Sequence, residues 1–223
     1  RRHDRAGGDS MGQRLINALA HITPVVIDFE YTTPTGAPFE PIEVAVQALR
    51  VHDGRLQRAA RWEALMRPPQ HGELTPFDIG QTGITPDMLA QRPFAGEILA
   101  ELDRRFIAGP YVLIAHHAPA EAGLIYAYRE HCPNLAGISL IDTVRLARNL
   151  YPDLPRHGLD DMLRHLQIPA PGNRHRAMAD VQVTVELFIR MVTDADWVDL
   201  RQLRALAGYP ARAAQHEQIP LFG

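Results

Sequence analysis

Hydrophobic and polar positions along this chain change period from two to nearly four as the sequence proceeds. Residues 24–27 form an apolar run of strand length that ends on the acids Asp28 and Glu30. Residues 42–51 and 56–66 read as two further strands, separated by Asp53-Gly54. That dipeptide predicts a tight hairpin, because both of its positions tolerate positive φ. Residues 67–83 read as loop, and Thr85-Pro86-Asp87 as the capped start of a short helix. Phe94, Ile98, Leu102 and Phe106 recur every four residues, which predicts an amphipathic helix over 93–106. A strand at 111–115, a helix at 118–130 and a strand at 138–141 follow, then helices at 142–150, 159–166, 176–191 and 195–207. Strands joined by hairpin signals and then alternating with helices predict an α/β fold, a mixed central sheet flanked by helices. Residues 1–20 read as an N-terminal arm, 21–207 as the folded domain and 208–223 as a C-terminal tail.

Composition narrows the chemistry. The 223 residues are 46% hydrophobic and 22% charged, which fits a globular domain and excludes disorder and coiled coil. No run approaches the ~18–20 apolar residues that span a bilayer, and the first eight residues precede no apolar leader, so neither membrane nor secretion is expected. Cys132 is the only cysteine. It excludes an internal disulfide and a cysteine zinc site, and it fits a reducing cytoplasm. Net charge is -3, so a nucleic acid would be met by a local basic patch. All 23 Lys+Arg positions are arginine. Lysine-based mechanisms, Schiff base or P-loop, are therefore excluded.

Three segments carry candidate chemistry. Asp28 and Glu30, two apart on a strand, share one face while Phe29 points to the other. Two carboxylates at the end of an apolar strand either end in water or hold a hard cation, Mg²⁺ or Mn²⁺. In His175-Arg176-Ala177-Met178-Ala179-Asp180, a helix starting near Arg176 sets His175 at its threshold and Asp180 about a turn inside. An imidazole titrates near neutrality, so a histidine there is a candidate base. The stretch His116-His117-Ala118-Pro119-Ala120-Glu121 leads from a strand into a helix whose first turn bears one acid. Helix-dipole stabilisation alone would account for that acid.

Taken together these segments resemble the DEDDh group of 3′–5′ exonucleases, the family of bacterial proofreading subunits and ribonuclease T. Asp28-Phe29-Glu30 is similar to the first motif, Ile42-Glu43-Val44-Ala45 to the strand that follows it, and residues 82–89 to the segment before the middle helix. His175 to Asp180 is similar to the third. The second motif departs. The family's usual His-Asn-Ala-x-Phe-Asp is replaced at three positions by His117, Ala120 and Glu121, and glutamate is one methylene longer than aspartate. The resemblance implies a ribonuclease H-like fold with Asp28, Glu30, Glu121 and Asp180 holding two Mg²⁺ or Mn²⁺ ions and His175 as catalytic base. It also implies that Thr32 and Thr33 touch the terminal nucleotide. Arg174, Arg176 and Arg156 are candidates to neutralise substrate phosphates, and ordinary solvated surface is the other reading of all three. Tyr31 and Phe29 are candidate stacking surfaces, with Phe29 expected in the core.

The expected activity is removal of 5′-nucleotides from 3′ ends, DNA favoured over RNA. The alternatives are an RNA-trimming enzyme of the same fold, or a non-catalytic binding module with an impaired second metal site. The final residues, Gln218-Ile219-Pro220-Leu221-Phe222-Gly223, resemble the short peptide by which bacterial replication proteins dock on the β sliding clamp. Gln218, Leu221 and Phe222 are its anchors. The same apolar side chains tucked back on their own domain is the other reading.

Overall fold

The computed structural model describes residues 11–172, 174–195 and 199–212. Its strands are β1 (Thr23–Tyr31), β2 (Pro41–His52), β3 (Arg55–Leu65), β4 (Tyr111–Ala115), β5 (Leu140–Asp142) and β6 (Gly208–Tyr209). Its α-helices are α1 (Met11–Leu19), α2 (Pro76–Thr82), α3 (Pro86–Leu89), α4 (Ala95–Asp103), α5 (Ala118–Ala127) and α6 (Pro133–Ala136), then α7 (Thr143–Leu150), α8 (Leu159–His165), α9 (Ala177–Asp194) and α10 (Leu200–Ala207). The sheet order is β3-β2-β1-β4-β5-β6. β1 pairs antiparallel with β2 and parallel with β4, so the sheet is mixed, as the sequence predicts.

Period-two alternation on β1 divides the core. Val26 faces a layer that includes Ala45, Ile114, Val181, Val185 and Phe188, whereas Val25, Ile27 and Phe29 face one that includes Leu99, Leu102 and Ile125. Helices thus cover both faces of the sheet, which lets the central strands be continuously apolar. The hairpin joining β2 to β3 turns through Asp53 at φ 49° and Gly54 at φ 67°, the left-handed pair that Asp-Gly supplies at little cost.

Three expectations need correction. Residues 11–19 are α1 rather than an arm, because Leu15 and Leu19, one helical turn apart, are both buried in the core; residues 1–10 lie outside the described residues. Residues 208–209 form β6, paired with β5, so the sheet extends past the expected domain boundary at 207. Residues 76–82, expected as loop, are α2. Its first turn is fixed by a reciprocal capping box: Asp78 N–H donates to Thr75 Oγ1 at 3.2 Å and Thr75 N–H to Asp78 Oδ2 at 2.7 Å. Gly83 closes the helix at φ 68°. Gln218, Leu221 and Phe222 lie outside the described residues.

Candidate active site

β1 and the parallel β4 end at the same edge of the sheet, where open α/β folds gather their ligands. Past that edge, β1 carries Asp28 and Glu30, and the segment after β4 carries His116, His117 and Glu121. The N-terminus of α9 brings His175 and Asp180. All seven side chains line one cavity of about 270 Å³. One carboxylate oxygen each from Asp28, Glu30 and Asp180 lies within 4.8 Å of the others. Two segments far apart in sequence, β1 and α9, thus place three acid oxygens close enough to share one ion.

The protein's own atoms leave this cluster strained. Glu121 is buried, and its Oε2 has no hydrogen-bond partner among the described residues. Burial, with Asp142 and Glu30 nearby, pushes its carboxyl up to about 8. Burial, then Glu43, pushes Glu30 up to about 7. Burial, then the charges of Glu121 and Glu30, holds Asp28 well above the usual carboxylate range. Oxygen-only donors with raised proton affinity and an orphaned buried oxygen fit a hard divalent cation, which would relieve each of these costs.

Unfolded, these glutamates ionise near ~4.3; folded, they keep protons to about 7 and about 8. The folded state therefore holds extra protons across that interval. This stability is complete below the unfolded value and is lost as pH rises through the folded values. The melting temperature in EDTA is expected to fall between pH 5.5 and 8.5, and millimolar Mn²⁺ should flatten the fall. A profile in EDTA that stays level or rises would contradict it.

Second-layer contacts hold the acids in place. His175 sits in the left-handed region at φ 64°, directly before Arg176, which caps α9. Such backbone is costly outside glycine and needs surrounding structure to maintain it. Glu43 on β2 supplies much of that support. Its carboxylate accepts from Arg176 Nε at 3.0 Å, from Arg176 Nη2 at 2.6 Å and from Ala177 N–H at 2.9 Å. Glu43 thus satisfies an orphan donor of α9 and neutralises Arg176 at once. Glu43→Ala is expected to destabilise the fold by about 2 kcal/mol, and Glu43→Gln, which can still accept from Ala177, by about half as much. Urea unfolding midpoints measure both; equal midpoints for wild type and Glu43→Ala would contradict the assignment.

The candidate substrate residues divide. Thr33 lines the cavity, and its Oγ1 donates to Asp78 Oδ1 at 2.5 Å, fastening α2 to the chain just after β1. Thr32 is wholly buried and accepts from Glu40 N–H at 3.2 Å, so its side chain is structural, contrary to expectation. Arg176 is paired with Glu43, although its side chain stays partly exposed. Arg174 ion-pairs with Asp180 and Asp160, inside the acidic cluster. Arg156 is exposed. Phe29 is core, and Tyr31 lines the cavity.

Sequence reading assigns no role to three contributors. Glu43 is an acid inside the apolar alternation of β2, and a buried charge there demands a partner. Asp142 caps α7 through Val144 N–H at 2.9 Å and holds His117 N–H at 3.3 Å, fixing the turn into α5; an aspartate at a helix start was its signal. His116 bonds Thr143 Oγ1 through Nδ1 at 2.9 Å. Burial lowers its imidazole to about 4, so it is neutral.

Comparison with known proteins places these features. A family model described as exonuclease matches residues 25–188. The chain is 32% identical over 177 residues to a DNA polymerase III PolC-type of Bacillus cereus, covering 79% of this chain and 12% of that protein. It is 35% identical over 197 residues to the protein of the same name from Halalkalibacterium halodurans, covering 88% and 13%. The chain thus spans about an eighth of the length of these curated relatives. A solved nuclease domain of 3′hExo, described as a DEDDh family member bound to rAMP, superposes with a TM-score of 0.67 at 22% identity. That match covers 78% of this chain and 94% of the other, and shows the shared ribonuclease H-like fold.

Proposed function

Since the chain belongs to the DEDDh, ribonuclease T-like exonuclease family, we propose that it is a metal-dependent 3′–5′ exonuclease acting on DNA. It hydrolyses the terminal phosphodiester and releases 5′-nucleotides. The observation that carries this reading is the approach of the Asp28, Glu30 and Asp180 oxygens to within 4.8 Å, in a cavity that His175 also lines. Asp28, Glu30 and Asp180 would hold one Mg²⁺ or Mn²⁺ ion, and Asp28 with Glu121 would hold a second. When bound, the ions neutralise phosphate charge, acidify water and stabilise the leaving oxygen. His175 Nδ1 or Nε2 accepts the proton of the attacking water. Thr33, fixed by Asp78, positions the terminal nucleotide. Arg174, already among the acids, neutralises the scissile phosphate once the carboxylates have cations.

DNA is favoured because the sequence relatives named above are DNA polymerases. The C-terminal peptide with Gln218, Leu221 and Phe222 fits docking on a β sliding clamp, an apolar anchor set at the end of a polar stretch. The direct test supplies 5′-labelled single strands of DNA and RNA with Mn²⁺. Ladders shortening one nucleotide at a time from the 3′ end, faster on DNA and absent in EDTA, are expected. Faster loss of RNA would reassign the substrate, and no loss of either strand would leave only a binding module.

A further inference from the structure

A second cavity of about 460 Å³ continues directly from the catalytic one, sharing Tyr31, His117 and Ala120 with it. Its walls are mainly apolar. On one side Tyr31 and Phe39 stack, with ring centroids 5.3 Å apart and planes 26° from parallel. Phe39 is 56% exposed, so its ring is open to a ligand. The opposite wall is the face of α5 at Gly123. The guanidinium of Arg212 lies over that face, its Nη1 3.7 Å from where a Cβ on Gly123 would stand. Arg212 makes no ion pair with any described residue. An aromatic platform at one side, an unpaired cation at the other and an open end at the acidic cluster together match one unit of a nucleic-acid strand.

We propose that this groove holds the nucleotide on the 5′ side of the scissile bond, its base against Tyr31 and Phe39 and its own phosphate at Arg212. The assignment rests on the exonuclease reading and adds to it. Two features commit the groove to this occupant. It shares three lining residues with the catalytic cavity, and its one cation is unpaired among the described residues, whereas the catalytic cavity is lined by acids. A single strand crossing from one cavity to the other passes its scissile phosphate between them. Arg212 also lies beyond the residues matched by the family model, 25–188.

The test compares a single-stranded DNA oligonucleotide with the p-nitrophenyl ester of thymidine 5′-phosphate. In the ester, nitrophenol stands where the upstream nucleotide would be. Phe39→Ala and Arg212→Ala are each expected to lower the ratio of kcat/KM for oligonucleotide over ester by about tenfold. Arg212→Ala should also make the dependence of oligonucleotide binding on log salt shallower by about 0.7, the share of one phosphate contact on a single strand. Binding is measured with Ca²⁺ in place of Mn²⁺, by fluorescence anisotropy. Both side chains are solvent-accessible, and circular dichroism confirms that the variants fold. Unchanged ratios and an unchanged salt slope would overturn the groove while leaving the exonuclease reading intact. A wild type that cleaves neither substrate would overturn that reading, and the groove with it.

Discussion

Asp28→Asn is expected to reduce 3′-end trimming by about a thousandfold or more while leaving the protein folded. The carboxylate is asked to serve both ions, and the charge stabilisation that such ions supply amounts to several kcal/mol. At ~1.4 kcal/mol per tenfold, three such factors correspond to about 4 kcal/mol. Burial and the neighbouring Glu121 and Glu30 already favour the protonated, neutral Asp28. Asparagine copies that neutral form in size and shape. The melting temperature in EDTA should therefore match or exceed that of the wild type, whereas the rise produced by Mn²⁺ should disappear. Rates on a labelled single strand and melting curves with and without Mn²⁺ check both halves. A variant that still trims at the wild-type rate, or still gains stability from Mn²⁺, would remove Asp28 from the site.

The second large effect belongs to His175. Loss of a positioned base typically costs ~10²–10⁴ in rate, and His175→Ala should fall in that range. The four acids are untouched, so Mn²⁺ binding measured by calorimetry should survive. That pairing separates a base from a ligand: loss of both rate and ion would reassign His175 to coordination. Because the residue sits at φ 64°, alanine retains the backbone penalty. Asparagine tolerates this region better, so His175→Asn should fold at least as well as His175→Ala and be equally slow. A wild-type rate in either variant would refute the role.

The sequence carried the site more legibly than its surroundings. Asp28 and Glu30 stood out because acids interrupt an apolar strand, and His175 and Asp180 because they bracket a helix start. Local period and local chemistry singled those four out, and the resemblance to the exonuclease family supplied the roles expected of them. The Asp53-Gly54 hairpin was legible for the same reason, its geometry being set by two residues. What failed to show was the long-range part. Glu43 looked like one polar position on a strand, and only the arrival of α9 against β2 makes it a cap and an ion-pair partner. Thr32 and Arg176 sat beside motif residues in sequence, but burial and pairing with Glu40 and Glu43 withdraw them from the cavity. The α2 helix hid in a proline-containing loop although Thr75 and Asp78 carry a capping-box pattern with aspartate in place of the usual glutamate. The first helix was lost because two buried leucines four residues apart form too short a stripe beside a polar N-terminus. Tyr31, Phe39 and Arg212, which together flank the second cavity, come from segments that no local pattern joins.

The proposed hydrolysis depends on carboxylates from β1, α5 and α9 acting together on cations. Crystals soaked in millimolar Mn²⁺ and measured at the manganese absorption edge test that dependence most directly. Two anomalous peaks about 3.5–4 Å apart are expected, one among Asp28, Glu30 and Asp180 and one between Asp28 and Glu121. An acidic pocket that shows no anomalous density would contradict the account.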